Sequence, residues 1–327
     1  MPAPAPLVRV IRSGLEESVH LGHVAVCDVD GRVLASLGDP AHPVFARSSM
    51  KPVQAAASLR RIDVELADDL VAVMCGSHAG EPVHVRAVRR LLRAGGASES
   101  ELACPPAYPL SLSAAIRSGR MRRAYHNCSG KHAGMVVAAD RAGWGSAGYL
   151  SPRHRVQREV LRAVRRATGM ERPAVGVDGC GAPVFGVPLS AMATAFARLA
   201  RPERLGAWSR AAARAVAAMR RYPLLVAGSG RTDTILMELV PGVLSKGGAE
   251  ALHCAALLEP GIGVAVKIAD GGNRAGGPAL IRTLRLLGAI SDRQLEDLGT
   301  VARPPVSGGG APVGEVVAGF RLRRRVP

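Results

Sequence analysis

Strand-like patterns occupy both ends of this chain, and helical patterns fill its middle. Residues 6–38 alternate apolar and polar positions around Asp28-Val-Asp-Gly31, which predicts a β-hairpin. Further strands are predicted at 240–246, 251–258, 262–269 and 314–322. Helices are predicted from Ser49 to about Ala94, then at 131–142, 153–168, 188–200, 203–220 and 277–287. This order predicts an α+β fold, in which both chain ends build one antiparallel sheet beside a helical lobe.

The length and composition are those of an ordinary globular protein. The chain has 327 residues, of which 48% are hydrophobic and only 3% aromatic, so Ala, Val and Leu must build the core. No internal repeat and no long linker divides it. We therefore expect a single catalytic domain over residues 1–327, with two closely packed lobes. The start of the chain lacks a basic region followed by an apolar run, and no stretch is long enough to span a membrane. A cytoplasmic protein without a membrane partner is expected.

The net charge of +17 raises the possibility of nucleic-acid binding. Most of the arginines, however, are spread through helical stretches such as 153–172 and 198–221. A groove for single strands needs interleaved aromatic residues as stacking platforms, and these stretches have few. The sequence favours a solvated, arginine-rich surface and no nucleic-acid partner.

Only four of the 43 basic residues are lysines, and all four lie among small residues: Lys51, Lys131, Lys246 and Lys267. Arginine cannot replace lysine where a neutral amine must accept a proton, because its guanidinium stays charged in proteins. The retained lysines therefore point to lysine chemistry. For Lys267 chance is an equally good explanation.

A serine and a lysine are predicted to share the start of one helix, in Arg47-Ser-Ser-Met-Lys-Pro52. Pro52 fits only the first turn of a helix, so Ser48 is predicted at or beside the N-cap. Ser48 and Lys51 are three residues apart and share a helical face. The helix N-terminus disfavours positive charge, which would lower the pKa of Lys51 and make it a base for Ser48. The alternative is a capping serine followed by a surface lysine.

A second lysine motif, Ser245-Lys-Gly-Gly248, follows at the end of a predicted strand. A Ser-x-x-Lys followed much later by Lys-x-Gly on a strand is the layout of penicillin-recognising serine acyl-transfer enzymes. The turn Cys75-Gly-Ser-His-Ala-Gly-Glu81 adds Ser77 as a candidate second hydroxyl. Together these motifs favour acyl transfer.

Two cysteine segments could hold a metal ion. In His126-Asn-Cys-Ser-Gly-Lys-His132, Cys128 and Lys131 are spaced as two ligands would be, and Cys180 of Asp178-Gly-Cys180 could complete the set. Two sulfurs would select zinc. Lysine is an unusual ligand because it must first lose its proton, and packed cysteines without a metal are the alternative.

Taken together, these segments resemble the bacterial L-asparaginases of the Rhizobium type, over nearly the whole chain. The similarity lies in motifs that follow one another in order: Arg-Ser-Ser-x-Lys-Pro, Cys-x-Ser-His-x-Gly-Glu, Asn-Cys-Ser-Gly-Lys-His, Val-Asp-Gly-Cys-Gly-x-Pro, Gly-x-Gly-Arg-x-Asp-Thr and Lys-Gly-Gly-Ala-Glu. One departure is Ala251, where the family often has Gly, and this bears on local backbone geometry.

The resemblance implies a fold similar to that of serine β-lactamases and glutaminases. It implies hydrolysis of L-asparagine to L-aspartate and ammonia through an acyl-enzyme on a serine. By motif, the family's two Ser–Lys pairs correspond to Ser48 with Lys51 and to Ser77 with Lys246. The resemblance also implies one zinc ion per chain, held by Cys128, Lys131 and Cys180, which tunes substrate binding, and it implies a homodimer. Residues near the substrate would be Arg47, His132, Asp178 and Glu250.

Two other functions compete with this one. The first is a glutaminase or another serine amidohydrolase of the same fold. The second is a zinc-binding or nucleic-acid-binding module without catalysis, which predicts salt-sensitive binding to polyanions and no amidase activity.

Overall fold

The computed structural model describes residues 2–324. Their contacts divide the chain into two compact units. The first unit contains the residues up to Ser49, the segment Val187–Arg201 and the residues from Ile235 onward. The second unit contains Met50–Gly186 and Pro202–Thr234. The single-domain assignment stays a prediction.

The strands lie mostly near the two ends of the chain. In order they are β1 Ala5–Arg12, β2 Leu15–Cys27, β3 Val33–Leu37, β4 Pro43–Phe45, β5 Ala174–Val177, β6 Pro183–Pro188, β7 Val243–Gly247, β8 Leu252–Leu257, β9 Ile262–Ile268, β10 Pro305–Gly308, β11 Ala311–Ala318 and β12 Arg323–Arg324.

The helices fill the middle of the chain and recur near its end. They are α1 Lys51–Leu59, α2 Asp68–Cys75, α3 Pro82–Ala94, α4 Leu112–Ser118, α5 Ser129–Arg141, α6 Arg155–Thr168, α7 Leu189–Ala200, α8 Ser209–Arg221, α9 Pro223–Val226, α10 Thr232–Leu239, α11 Asn273–Leu286, α12 Asp292–Asp297 and α13 Gly299–Ala302. Short 3₁₀ turns occur at Arg47–Met50, Glu99–Glu101, Arg123–Tyr125 and Pro202–Trp208. No described helix is both long and apolar enough to cross a membrane.

The first unit is built on one antiparallel sheet. Its main path runs β10-β11-β1-β2-β9-β8-β7, with β3 paired to β2 and β12 paired to β3. Strands from the N-terminal part (β1 to β3) therefore pair with strands from the C-terminal part, as the sequence predicts. The α+β class and the sheet built from both chain ends are confirmed.

Strand β9 is covered on both faces of the sheet. Side chains alternate along a strand, so neighbouring residues of β9 pack against different elements. Val264, Val266 and Ile268 point into the apolar core that α11 completes with residues such as Leu280 and Leu284. Gly263 points the other way, against α7. A methyl group added at Gly263 would lie 1.8 Å from the Ala193 carbonyl oxygen, so only glycine lets α7 approach this closely.

The second unit is organised around α1. All nine residues of α1 are buried, which is the pattern of a helix that is packed on every side. It packs against α2, α5, α6 and α8. Three consecutive alanines, residues 55–57, keep the helix slender enough for these neighbours to approach. The burial of α1 carries Lys51 into the interior at the first helical position.

Several local predictions need correction. The residue that caps α1 is Met50, and no side chain caps the helix; Ser48 lies earlier, in the 3₁₀ turn, so its N-cap assignment is wrong. Pro52 does lie in the first turn. The helix predicted at 203–220 is split, because Gly206 has φ 58° and ψ −122° and only the part from Ser209 is α-helical. The predicted first strand is two strands, separated by a turn at Ser13 and Gly14.

We expect Gly263→Ala to destabilise the protein by about 2–3 kcal/mol, because the new methyl group must push the backbone of α7 away from β9. Gly242→Ala is the matched control, since a methyl group there meets nothing within 4 Å. Urea-induced unfolding measures the free energy of unfolding of both variants. Equal stability of the two variants would contradict the close packing of α7 on β9.

Candidate functional site

Lys51 is the centre of a buried polar cluster in the second unit. Its side chain is fully buried. The Nζ amine donates to the carbonyl oxygens of Gly76 at 2.7 Å and Asn127 at 3.3 Å. Burial is the main influence that lowers the pKa of Lys51, and positively charged Lys131 lowers it further although Cys128 opposes both. An amine in these surroundings is suited to accept a proton.

The residues around this amine connect it to Ser77. Ser77 follows directly after Gly76, whose carbonyl accepts from Lys51, and the Asn127 side-chain amide donates to Ser77 Oγ at 3.1 Å. The backbone N–H of Ser77 donates to the carbonyl of Val226 at 2.7 Å. One asparagine thus contacts the lysine through its carbonyl and the serine through its side chain. The structure brings Lys51 and Ser77 into one network.

His78 stabilises the same turn through hydrogen bonds of both its ring nitrogens. Its Nδ1 accepts from the N–H of Gly80 at 3.2 Å, so Nε2 carries the proton and donates to Ser129 Oγ at 3.0 Å. Burial keeps the pKa of His78 well below its usual value, which fits a neutral ring that holds the turn in place.

The predicted metal ligands are close together in the structure, although Lys131 and Cys180 are 49 residues apart in the chain. The Lys131 amine donates to Cys180 Sγ at 3.1 Å, and both cysteines are buried. The two thiols are hydrogen-bonded, which keeps the pKa of Cys128 well below its usual value and raises that of Cys180. Burial lowers the pKa of Lys131, but the two sulfurs more than offset this, so the net shift is upward.

The donor chemistry of this cluster fits zinc. Two sulfurs, one of them favoured as thiolate, and one amine converge in a buried position, and sulfur with nitrogen is the donor set that zinc prefers. Among residues 2–324 there is no group of three or more His, Cys, Asp or Glu side chains placed to hold a metal ion. A zinc site here would therefore need Lys131 as its third protein ligand, in the neutral form.

His132 lies beside this cluster and has one ring nitrogen without a partner. Its Nδ1 is 2.6 Å from Tyr149 Oη, and that oxygen accepts from the N–H of Ala103 at 2.9 Å. Among the described residues Tyr149 Oη has no acceptor other than Nδ1, so its proton is assigned to that bond and the His132 proton to Nε2. Within the described chain, buried Nε2 has no hydrogen-bond partner. This buried Nε2–H could donate a hydrogen bond to a carbonyl or carboxylate oxygen of a substrate.

The remaining predicted residues lie in the first unit or beside the cysteines. Ser48 is 8% exposed and lies in the 3₁₀ turn, whereas neighbouring Ser49 is fully buried and donates to the carbonyl of Leu252 at 3.1 Å. Arg47 has a left-handed backbone, with φ 43°.

Lys246 is fully buried and its amine donates to the carbonyl of Gly247 at 2.6 Å. Asp178, in the second unit, accepts from the N–H of Gly179.

Glu250 lies in an unusual turn of the first unit. Glu250 and Ala251 both have left-handed backbones, with φ 58° and 49°. Glycine adopts such values most readily, so the departure from the family at Ala251 falls on a position where a Cβ is strained. Lys267 donates to the carbonyls of Glu250 and Ile268 and stabilises this turn, which is a structural use of the fourth lysine.

Two residues of the site were not predicted from the sequence. Asn127 and Tyr149 orient Ser77 and His132, but each acts through a contact between distant segments. Asn127 lies inside a motif that already contained Cys128 and Lys131, so its position was the available signal. Tyr149 offered none beyond the scarcity of aromatic residues.

Comparison with known proteins identifies the family. The family model described as L-asparaginase II matches residues 8–318, nearly the whole chain. The chain belongs to the L-asparaginase II family and is an amidohydrolase, an enzyme class that also agrees with its lysine- and serine-containing site. No curated protein sequence matches the chain.

Solved structures to which the chain is similar include a β-lactamase and glutaminases. The β-lactamase, from Mycobacterium bovis, is 22% identical over 82% of this chain and 94% of that one, with a TM-score of 0.44. A probable glutaminase from Bacillus subtilis, complexed with 6-diazo-5-oxo-L-norleucine, is 15% identical over 81% of this chain and 83% of that one, with a TM-score of 0.35. A Bacillus glutaminase is 14% identical over 82% and 91%, with a TM-score of 0.39.

We expect Tyr149→Phe to lower the stability by about 1–3 kcal/mol, because His132 Nδ1 and the N–H of Ala103 would both lose their buried partner. Tyr108→Phe is the control, since Tyr108 is 50% exposed. Urea unfolding gives the stabilities, and ¹⁵N NMR of the His132 ring gives the tautomer. An unchanged stability and tautomer in Tyr149→Phe would contradict the proposed hydrogen bond.

Proposed function

We propose that this amidohydrolase converts L-asparagine to L-aspartate and ammonia, with Ser48 as nucleophile and Lys51 as its base. The observation that carries the proposal is the state of Lys51. Its amine is fully buried, is held by two carbonyl oxygens and has a lowered pKa. A lysine at a surface would keep its proton at neutral pH and could not serve as a base. Membership of the L-asparaginase II family supports the substrate class.

The proposed reaction has two steps. Lys51 accepts the proton of Ser48, and the serine oxygen attacks the side-chain carboxamide carbon of asparagine. The C–N bond breaks, the proton passes to the leaving nitrogen, and ammonia departs from an aspartyl ester on Ser48. Water then attacks the ester carbon, loses its proton to the lysine and releases aspartate while Ser48 regains its proton.

Ser77 and Lys246 form the second proposed pair. Support for Ser77 comes from its place in the Lys51–Asn127 network, and support for Lys246 comes from its complete burial at the end of β7. A second hydroxyl with its own buried amine can relay the proton between the nucleophile and the leaving nitrogen.

The proposed substrate contacts are Arg47, His132, Asp178 and Glu250. A free amino acid carries both an α-carboxylate and an α-ammonium group, so its site needs donors and acceptors of opposite charge. Arg47 and the His132 Nε2–H supply donors, and the carboxylates of Asp178 and Glu250 supply acceptors. We further propose a homodimer in the cytoplasm.

We also propose one zinc ion per chain, held by Cys128, Lys131 and Cys180. When bound, zinc supplies a positive charge beside the substrate site and would strengthen the binding of an anionic substrate group. Binding requires both thiols and the lysine to release their protons. The proposed acid–base steps use only Ser48, Lys51 and the second pair.

Ser48→Ala should lower kcat for ammonia release by about 10³-fold or more, because it removes the nucleophile. Lys51→Arg and Lys51→Met should each lower it by about 10²–10⁴-fold, because neither side chain accepts a proton. Ser49→Ala is the matched control and should stay near the wild-type rate, since Ser49 Oγ is engaged with the carbonyl of Leu252.

The assay measures ammonia release from L-asparagine and L-glutamine and ring opening of a β-lactam, with the fold of each variant checked by circular dichroism. Preference for glutamine would support the alternative glutaminase function. Substantial turnover by a folded Lys51→Arg or Lys51→Met protein would contradict the role of Lys51 as base.

Purified protein should contain about one zinc per chain by elemental mass spectrometry, and Cys180→Ser should lose it. Cys104→Ser is the control, because Cys104 is also buried but donates to the carbonyl of Arg123 outside the cluster. We expect Cys180→Ser to raise KM more than it lowers kcat. Equal zinc in the two variants, or none in the wild type, would contradict the site.

A further inference from the structure

Helix α6 presents a row of arginines to solvent. Its buried residues include Val156, Val160, Ala163 and Val164. The opposite face carries five exposed arginines: Arg155, Arg158, Arg162, Arg165 and Arg166. At 1.5 Å per residue, this row extends for about 16 Å along the helix.

Three arginines of this face have no partner within the described residues. Some exposed arginines on other elements have carboxylate partners, for example Arg9 with Glu16 at 2.8 Å and Arg141 with Asp63 at 2.6 Å. Along the described chain, Arg155, Arg158 and Arg165 have neither an ion pair nor a side-chain hydrogen bond. No carboxylate of the described chain pairs with these three charges.

The one carboxylate within α6 does not neutralise the row. Glu159 is 1% exposed and accepts from Arg60 and Arg61 at 2.8 Å each. The indole N–H of Trp208 donates to the same carboxylate at 3.1 Å. Arg162 reaches it only at 3.3 Å, as a further partner of a carboxylate that two arginines already balance. The exposed face therefore keeps a net positive charge.

Two concave sites lie along the row. One, of about 290 Å³, is lined by Trp144, Arg155, Arg158 and Arg162. The other, of about 490 Å³, is lined by Arg165, Arg166, Gly169, Met170, Glu171 and Arg172. The two cavities together contain six arginines and one acidic residue. A concave, cationic lining is complementary to an anion that spans several side chains.

We propose that the α6 face binds linear inorganic polyphosphate. Each guanidinium can grip a phosphate through two parallel N–H donors, and the row offers such forks at every turn of the helix. A single-stranded nucleic acid would need repeated stacking platforms, and the two cavities contain only Trp144. An unbranched chain of phosphates has no bases to stack, so positively charged side chains alone can bind it. The proposal is independent of the amidohydrolase activity.

The test compares two variants that each lose three positive charges. Arg155, Arg158 and Arg162 are changed to Gln on α6; in the control, Arg86, Arg90 and Arg93 are changed to Gln on the exposed face of α3. Both variants have the same net charge, so diffuse attraction weakens equally in them. Short-chain polyphosphate is titrated by calorimetry at about 150 mM salt, and a deoxythymidine oligonucleotide of matched charge is the second probe.

We expect the α6 variant to lose tenfold or more in polyphosphate affinity, and the control to stay within about twofold of wild type. The dependence of log affinity on log salt should become shallower by about 2 in the α6 variant, at about 0.7 per phosphate contact. Equal losses in the two variants, or no binding by the wild type, would overturn the proposal. Tighter binding of the oligonucleotide would overturn it in favour of nucleic acid. Urea unfolding of both variants excludes a loss of fold as the cause.

Discussion

The burial of the Lys51 amine is the constraint on which the site depends. A charged amine in a dry interior is unfavourable unless it is hydrogen-bonded or loses its proton. Here helix α1, packed on every side, carries the amine inward, and carbonyls from the end of α2 and from the turn before α5 hold it. The same two segments contain Ser77 and Asn127, so the contacts that satisfy the lysine also orient its polar neighbours.

Two buried lysines of the second unit have opposite electrostatic surroundings. Burial lowers the pKa of Lys51, whereas the sulfurs of Cys128 and Cys180 raise that of Lys131 against the effect of its burial. Pairs of groups whose pKa values are pushed apart are a means by which proteins divide acid and base roles. In the proposed enzyme, Lys51 is the amine for proton transfer, and Lys131 belongs to the sulfur cluster.

Much of this arrangement could be predicted from the sequence, because its signals were local. The alternation of short patterns predicted the sheet from both chain ends, and the scarcity of lysine singled out Lys51, Lys131 and Lys246. Contacts between distant segments left no such signal. Tyr149 is 17 residues from His132 in the chain, and the hydrogen bond between them arises only in the folded unit. The N-cap prediction failed because a 3₁₀ turn precedes α1, so Met50 takes the N-cap position and Ser48 lies two residues earlier.

Locating the covalent intermediate tests directly whether Ser48 is the nucleophile. Protein quenched in acid during turnover of L-asparagine is digested, and its peptides are sequenced by mass spectrometry. We expect an aspartyl ester on Ser48, within the segment Arg47–Met50, and none on Ser49 or Ser77. An aspartyl group attached to a different side chain, Cys128 included, would contradict the assignment of Ser48 as the nucleophile.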